Sequence, residues 1–262
     1  MSVNRRPVAL AVAAHPDDIE FMMAGTLLLL KAAGADIHMW NLANGHCGTV
    51  RYGREDIIRI RAAEAEASAR LACAVSHPPL FDDLGIFYDQ RSLARVAAVV
   101  RAIRPTIILT HSPQDYMEDH QNACRLIVTA AFSRGMPNFV TDPPCGAGDQ
   151  PVAIYHALPH GLLDGLGRPV RPDLYVDIEP VLAAKRDMLA CHRSQKEWLD
   201  ISQGMDAYLN EMDRMSAEVG RMSGRFTRAE GWRLHSSLGF GPEGFNPMKE
   251  RLKGHYDVAT AE

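Results

Sequence analysis

The segment Ala9-Leu10-Ala11-Val12-Ala13-Ala14-His15-Pro16-Asp17-Asp18-Ile19-Glu20 constrains this chain more than any other. A short apolar run ends in one imidazole and two adjacent carboxylates, and a stretch rich in helix formers follows from Glu20 to Lys31. Polar side chains at the carboxyl end of a strand, just ahead of a helix, stand where open α/β sheets keep their ligand sites. Imidazole nitrogen together with carboxylate oxygen suits a borderline divalent ion such as zinc. Two neighbouring Asp residues cannot point the same way, so one can bind a metal while the other faces a water. The competing reading of His15-Pro16-Asp17-Asp18 is a plain turn with an Asp N-cap.

A second cluster follows about a hundred residues later. Thr106-Ile107-Ile108-Leu109-Thr110 is a β-branched run behind Arg104-Pro105 and reads as another buried strand. It ends in His111-Ser112-Pro113-Gln114-Asp115-Tyr116-Met117-Glu118-Asp119-His120. A helical stretch from Asn122 to Phe132 comes next, closed by Arg134-Gly135 and Pro137. Two strand ends thus each deliver His and Asp to the rim of one sheet. Catalytic zinc takes three protein ligands and keeps one position open. His15, Asp18 and His120 can fill those positions, leaving Asp17 to take a proton from a water. A lone His120 with Asp119 as a cap would read as an ordinary loop; two matched clusters weigh against that.

These residues resemble the LmbE-like, or PIG-L-type, N-acetylglucosaminyl deacetylases. The family's first motif, Ala-His-Pro-Asp-Asp, stands here intact as Ala14 to Asp18, and its His-Pro-Asp-His motif corresponds to Met117-Glu118-Asp119-His120. Gly25-Thr26, the Arg61-x-x-Glu64-Ala65 helix, Asp83, Asp177-Ile178, Lys185, Ser194-Gln195 and Ala229-Glu230-Gly231-Trp232 resemble later landmarks. The resemblance implies one zinc per chain held by His15, Asp18 and His120. It implies Asp17 as general base, Asp119 as a catalytic partner steadying an active-site group, and Arg61 near the substrate or released acetate. Asp83, with Arg61, is expected to bind substrate hydroxyls or the acyl group. Met117 departs from the pattern. A histidine there would stabilise the oxyanion or protonate the leaving amine, and a thioether is only a weak acceptor. Tyr116, His111, His156, His160, His192 and His235 are unassigned; His160 and His192 lead as replacement donors, although a capping or buried hydrogen-bonded histidine is the default reading of His192.

With 262 residues and 47% hydrophobic composition, one large α/β domain is expected over the whole chain, with residues from about 200 to 262 forming a peripheral helix and loop extension. Strands at Val8 to Ala13, Asp36 to Leu42, Thr106 to Thr110, Val152 to Ala157 and Leu174 to Ile178 alternate with helices near Phe21 to Ala33, Arg54 to Cys73 and Arg91 to Ile103. That alternation predicts a Rossmann-like, mostly parallel sheet with helices on both faces, in three layers, with the first and fourth strands close together. Met205, Met212, Met215 and Met222 mark a peripheral helix whose methionines serve core or oligomer contacts, and a homo-oligomer is expected.

A net charge of −4 excludes a nucleic-acid footprint, and no run of 18 apolar residues exists to span a membrane. Five dispersed cysteines without Cys-x-x-Cys spacing, and an N-terminus unlike a signal peptide, fit a reducing cytoplasm. The function expected is zinc-dependent hydrolysis of the acetyl (acyl) amide of an N-acetylated aminosugar or glycoconjugate. Two alternatives are a zinc-dependent hydratase of an unsaturated carboxylic acid on the same fold and a sugar-binding relative without turnover.

Overall fold

Alternate side chains of β1 (Val8–Ala13) enter two different apolar layers, as a strand with period two requires. Ala9, Ala11 and Ala13 join Leu27, Leu30, Met188, Met215 and Val219 on one face, while Leu10 and Val12 join Val96, Val100, Leu126 and Ile127 on the other. The computed structural model describes residues 6–195 and 207–259. Its sheet adds β2 (Asp36–Asn41), β3 (Val75–His77), β4 (Ile107–Thr110), β5 (Ala153–Ala157), β6 (Leu174–Asp177), β7 (Ala229–Leu234) and β8 (Tyr256–Val258). The spatial order is β3-β2-β1-β4-β5-β7-β6-β8. The pairs from β3 to β5 are parallel, whereas β7 runs antiparallel to both β5 and β6, and β8 antiparallel to β6. The fold is therefore the expected α/β class, a mostly parallel sheet between helical layers.

The helices are α1 (Asp18–Met22), α2 (Ala24–Ala32), α3 (Arg54–Leu71), α4 (Gln90–Ile103), α5 (Glu118–Phe132), α6 (Leu182–Leu189), α7 (Ala207–Ser223) and α8 (Pro247–Arg251). The single helix expected from Phe21 to Ala33 starts earlier, at Asp18, and is interrupted at Met23, which sits at φ −135° and ψ −22°. The break exposes new N–H groups at the start of α2, and a distant carboxylate meets them. Glu230 on β7 accepts from Gly25 N–H and Thr26 N–H, both at 2.8 Å, and pairs with buried Lys185 Nζ at 2.6 Å. An anion at a helix N-terminus satisfies free donors and the helix dipole together.

The C-terminal stretch expected to lie at the periphery is woven into this frame. β7 sits inside the sheet, and α7 buries Tyr208, Leu209, Met212, Met215 and Val219. Met205 and the start of the expected helix lie outside the described residues.

The chain fills one side of the sheet with β2 and β3, then crosses to the other with β4 and β5. The switch falls between β1 and β4. Their register pairs Val12 with Thr110, so the strands end within one residue of each other and empty their following loops onto one edge.

Candidate functional site

The loop after β1 is held in an uncommon shape. Asp17 has φ 104° and ψ −27°, a left-handed conformation that costs a non-glycine residue about 1–3 kcal/mol. His15 N–H donates to Asp18 Oδ2 at 2.8 Å, and Phe21 N–H donates to the Asp17 carbonyl at 3.0 Å, so the turn is braced on both sides. The result splits the adjacent carboxylates, with Asp18 facing the imidazoles and Asp17 facing α3 and α7.

Three groups converge beside Asp18. Its Oδ2 lies 3.5 Å from His15 Nδ1 and 3.4 Å from His120 Nε2. The outer nitrogen of each imidazole is taken by another carboxylate: His15 Nε2 meets Asp119 Oδ2 at 3.0 Å, and His120 Nδ1 meets Asp115 Oδ1 at 3.0 Å. His120 Nε2 is buried and has no hydrogen-bond partner among the described residues. Imidazoles anchored outside by carboxylates, with their inner nitrogens turned on one point, are the arrangement that metal-binding histidines adopt. The donor set therefore fits a divalent cation bound by His15, Asp18 and His120. His111 closes the back of the group. Its Nε2 accepts from Ala14 N–H at 2.9 Å, and its ring stacks on His120 with centroids 4.0 Å apart.

Asp17 has a separate set of neighbours. Tyr208 Oη on α7 donates to its Oδ2 at 2.7 Å, and Arg61 Nη2 on α3 lies 3.6 Å away. Arg61 is itself buried, donating to the carbonyls of Pro16 and Gly45. The loop 44–48 wraps the guanidinium so closely that a Cβ on Gly45 would stand 2.7 Å from Arg61 Nε, and one on Gly48 would collide with Nη1. Glycine is required there by close approach.

The two carboxylates diverge electrostatically. Burial pushes the Asp17 pKa up, and the Asp18 charge adds to this against the pull of Arg61. Burial also acts on Asp18, but His120, His111 and His15 outweigh it and hold that group well below the usual carboxylate range. A pair pushed apart in this way suits one carboxylate to take a proton and the other to stay charged.

The imidazoles themselves hold protons firmly. Burial lowers the pKa of His15, yet its bonds to Asp119 and Asp18 prevail and raise it to about 9; for His120 the charge of Asp18 and the bond to Asp115 overcome burial and raise it to about 10. A cation binds neutral imidazole, so it competes with these protons across the whole range below about pH 9. Metal affinity should accordingly rise with pH through neutrality and fall as the solution is acidified. Titration calorimetry in two buffers of different ionisation heat is expected to read about two protons released per cation near pH 7. Release of none would contradict the arrangement.

A cavity of about 430 Å³ opens over this group. His15, Asp17, Asp18, Arg61, Asp83 and His120 all line it, so the structure gathers these expected residues at one place. Asp119 lies behind His15 and also accepts from Leu84 N–H at 2.6 Å. Asp83 accepts from Gly45 N–H at 2.6 Å and Cys47 N–H at 2.8 Å, which fastens the loop around Arg61. Met117 and His160 reach the cavity wall. His192 does not: its side chain is fully buried, 3.2 Å from Glu20 Oε1. Two contributors escaped the sequence reading of roles. Asp115 sits within the His111 to His120 run but belongs to no recognised motif, and Tyr208 lies on the methionine-bearing helix assigned to the periphery.

The family model described as GlcNAc-PI de-N-acetylase matches residues 10–132, the segment that supplies His15, Asp17, Asp18, Arg61 and His120. Over that segment the chain is similar to the PIG-L family. Among curated relatives, a 4-oxalmesaconate hydratase of Pseudomonas putida is 27% identical over 206 residues, covering 72% of this chain and 74% of its own. A 1D-myo-inositol 2-acetamido-2-deoxy-alpha-D-glucopyranoside deacetylase of Rhodococcus jostii is 26% identical over 239 residues, covering 71% and 80%. The N,N'-diacetylchitobiose deacetylase of Pyrococcus horikoshii superposes with a TM-score of 0.74 at 20% identity, over 92% of this chain and 88% of that one, a likeness of fold. The matched segment ends at Phe132, so Tyr208 enters the site from outside it, and Glu230, also outside it, braces the start of α2.

Proposed function

We propose that this chain is a zinc-dependent N-deacetylase that removes the acetyl (acyl) group from an N-acetylated aminosugar or related glycoconjugate. The observation that carries this reading is the split pair: Asp18 held ionised among three imidazoles, and Asp17 beside it with a raised pKa. The description of the matching family and the Rhodococcus jostii relative support the substrate class. Bound by His15, Asp18 and His120, zinc would supply a Lewis acid for the acyl oxygen and acidify the attacking water.

The residues around it do the rest. Asp17 accepts the proton of the attacking water, and its raised pKa suits it to do so near neutral pH. Tyr208 and Arg61 fix the angle from which it works. Asp119 and Asp115 keep the two imidazoles from turning. Proton return to the departing nitrogen falls to Asp17 or to His160, which lines the same cavity. The partner is a small N-acetylated molecule. Among the described residues no helix is long and apolar enough to cross a membrane, and the free cysteines fit a cytoplasmic setting.

Met117 favours a second reading. A thioether occupies the cavity wall where the deacetylase pattern carries an imidazole, and the Pseudomonas putida relative is a hydratase. The zinc-loaded protein should therefore be offered N-acetylhexosamines and their glycosides, with acetate release as the readout, and unsaturated dicarboxylic acids, with loss of ultraviolet absorbance. Acetate release sustains the deacetylase. Hydration of an alkene acid without acetate release replaces it with the hydratase.

A further inference from the structure

His46, Cys47 and Asp83 form a second cluster at the mouth of the cavity. One ligand atom from each lies within 4.8 Å of the other two. Cys47 Sγ is 3.4 Å from His46 Nε2, and Asp83 reaches the same point from the turn after β3. The loop 44–48 is stiff where these groups sit. It is pinned by the two Asp83 bonds, by Asn44 Oδ1 accepting from His46 N–H at 3.1 Å, and by its close fit to Arg61.

We propose that His46, Cys47 and Asp83 bind a second, thiophilic divalent cation such as zinc or cadmium, independently of the centre at His15, Asp18 and His120. Thiolate, imidazole and carboxylate together select borderline or soft ions over magnesium or calcium. Asp83 spends only part of its capacity on Gly45 and Cys47, since a carboxylate offers about four lone-pair positions. On binding, the Cys47 S–H bond breaks, its proton leaves to solvent, and a metal–sulfur bond forms. Coordination through His46 Nε2 moves the ring proton to Nδ1 and replaces the weak 3.3 Å bond from Asp83 N–H. A solvent molecule completes a tetrahedral shell.

The alternative use of a Cys–His pair, an activated nucleophile, is disfavoured. Burial and the nearby Asp83 charge raise the Cys47 thiol pKa rather than lower it, and a thiol is a poor nucleophile. The site also touches the first one. The residue after Asp83, Leu84, donates its N–H to the Asp119 carboxylate that steadies His15, and Cys47 and Asp83 share the cavity wall with Asp17. A cation here narrows the entrance to the Asp17 side.

Cadmium titration of the full chain tests this. The wild type is expected to take up two equivalents, with the thiolate-to-cadmium absorption band growing on the weaker one. Cys47→Ala should take up one equivalent and lose the band, and His46→Ala should weaken the second equivalent without affecting the first. Iodoacetamide labelling read by peptide mapping should slow at Cys47, and not at exposed Cys73, once cadmium is added. Equal stoichiometry in the wild type and Cys47→Ala, or unchanged labelling of Cys47, would overturn the assignment.

Discussion

Asp17→Asn is expected to retain its metal and lose about 10²–10⁴-fold in kcat, the usual worth of a positioned general base. The asparagine keeps the shape of the side chain and can still engage Tyr208, so the loop conformation survives while the proton acceptor is gone. Asp18→Asn should fail in the opposite order. Its carboxylate lies within 3.5 Å of three imidazole nitrogens, and an amide there removes the charge that a cation and those imidazoles share. Metal content by elemental analysis, alongside kcat at saturating zinc, separates the two variants. If both lose metal and rate in the same proportion, the division of labour between the neighbouring carboxylates is wrong.

Asp115→Ala is expected to weaken metal binding about 10–100-fold, the range seen when an outer partner of a metal-binding histidine is removed. Asp115 is 2% exposed and its Oδ1 holds both His120 Nδ1 and the Met117 N–H, the latter at 3.1 Å. Without it the imidazole is free to turn, and its inner nitrogen no longer bears on the same point as His15 and Asp18. Competition against a chelator of known affinity measures the loss, and a thermal melt of the zinc-loaded protein checks that the fold persists. Unchanged affinity in a folded Asp115→Ala protein would show that packing alone orients His120.

The strand ends carrying His15 and His120 are legible because buried parallel strands write themselves as short apolar runs, and the residues that follow them must share an edge. Asp115 is harder to read. Its role depends on an imidazole five residues away on the first turn of α5, and no short-range pattern distinguishes it from a turn-forming Asp. Tyr208 is harder still, since its partner Asp17 is 191 residues away and α7 looks like an ordinary amphipathic helix. β7 was hidden because Ala229-Glu230-Gly231-Trp232-Arg233-Leu234 mixes charges and a glycine into a central strand. Glu230 is tolerable there only because Lys185 and the start of α2 neutralise it, a fact of three dimensions. His192 follows its default reading as a buried histidine rather than its candidacy as a donor: its neighbour is Glu20 on α1.

The contact between Glu230 and the first turn of α2 also sets an order of events during synthesis. Gly25 leaves the ribosome 205 residues ahead of the carboxylate that will cap it. At about 5–20 residues per second, that interval lasts on the order of 10–40 s. Through most of it the nascent chain already displays the His15-Pro16-Asp17-Asp18 segment, yet the tyrosine that aims Asp17 has not been made, and the anchor for the following helix comes later still. On the proposed mechanism the site is complete only once Tyr208 and Glu230 have both been made, and the growing polypeptide lacks its aimed base until then.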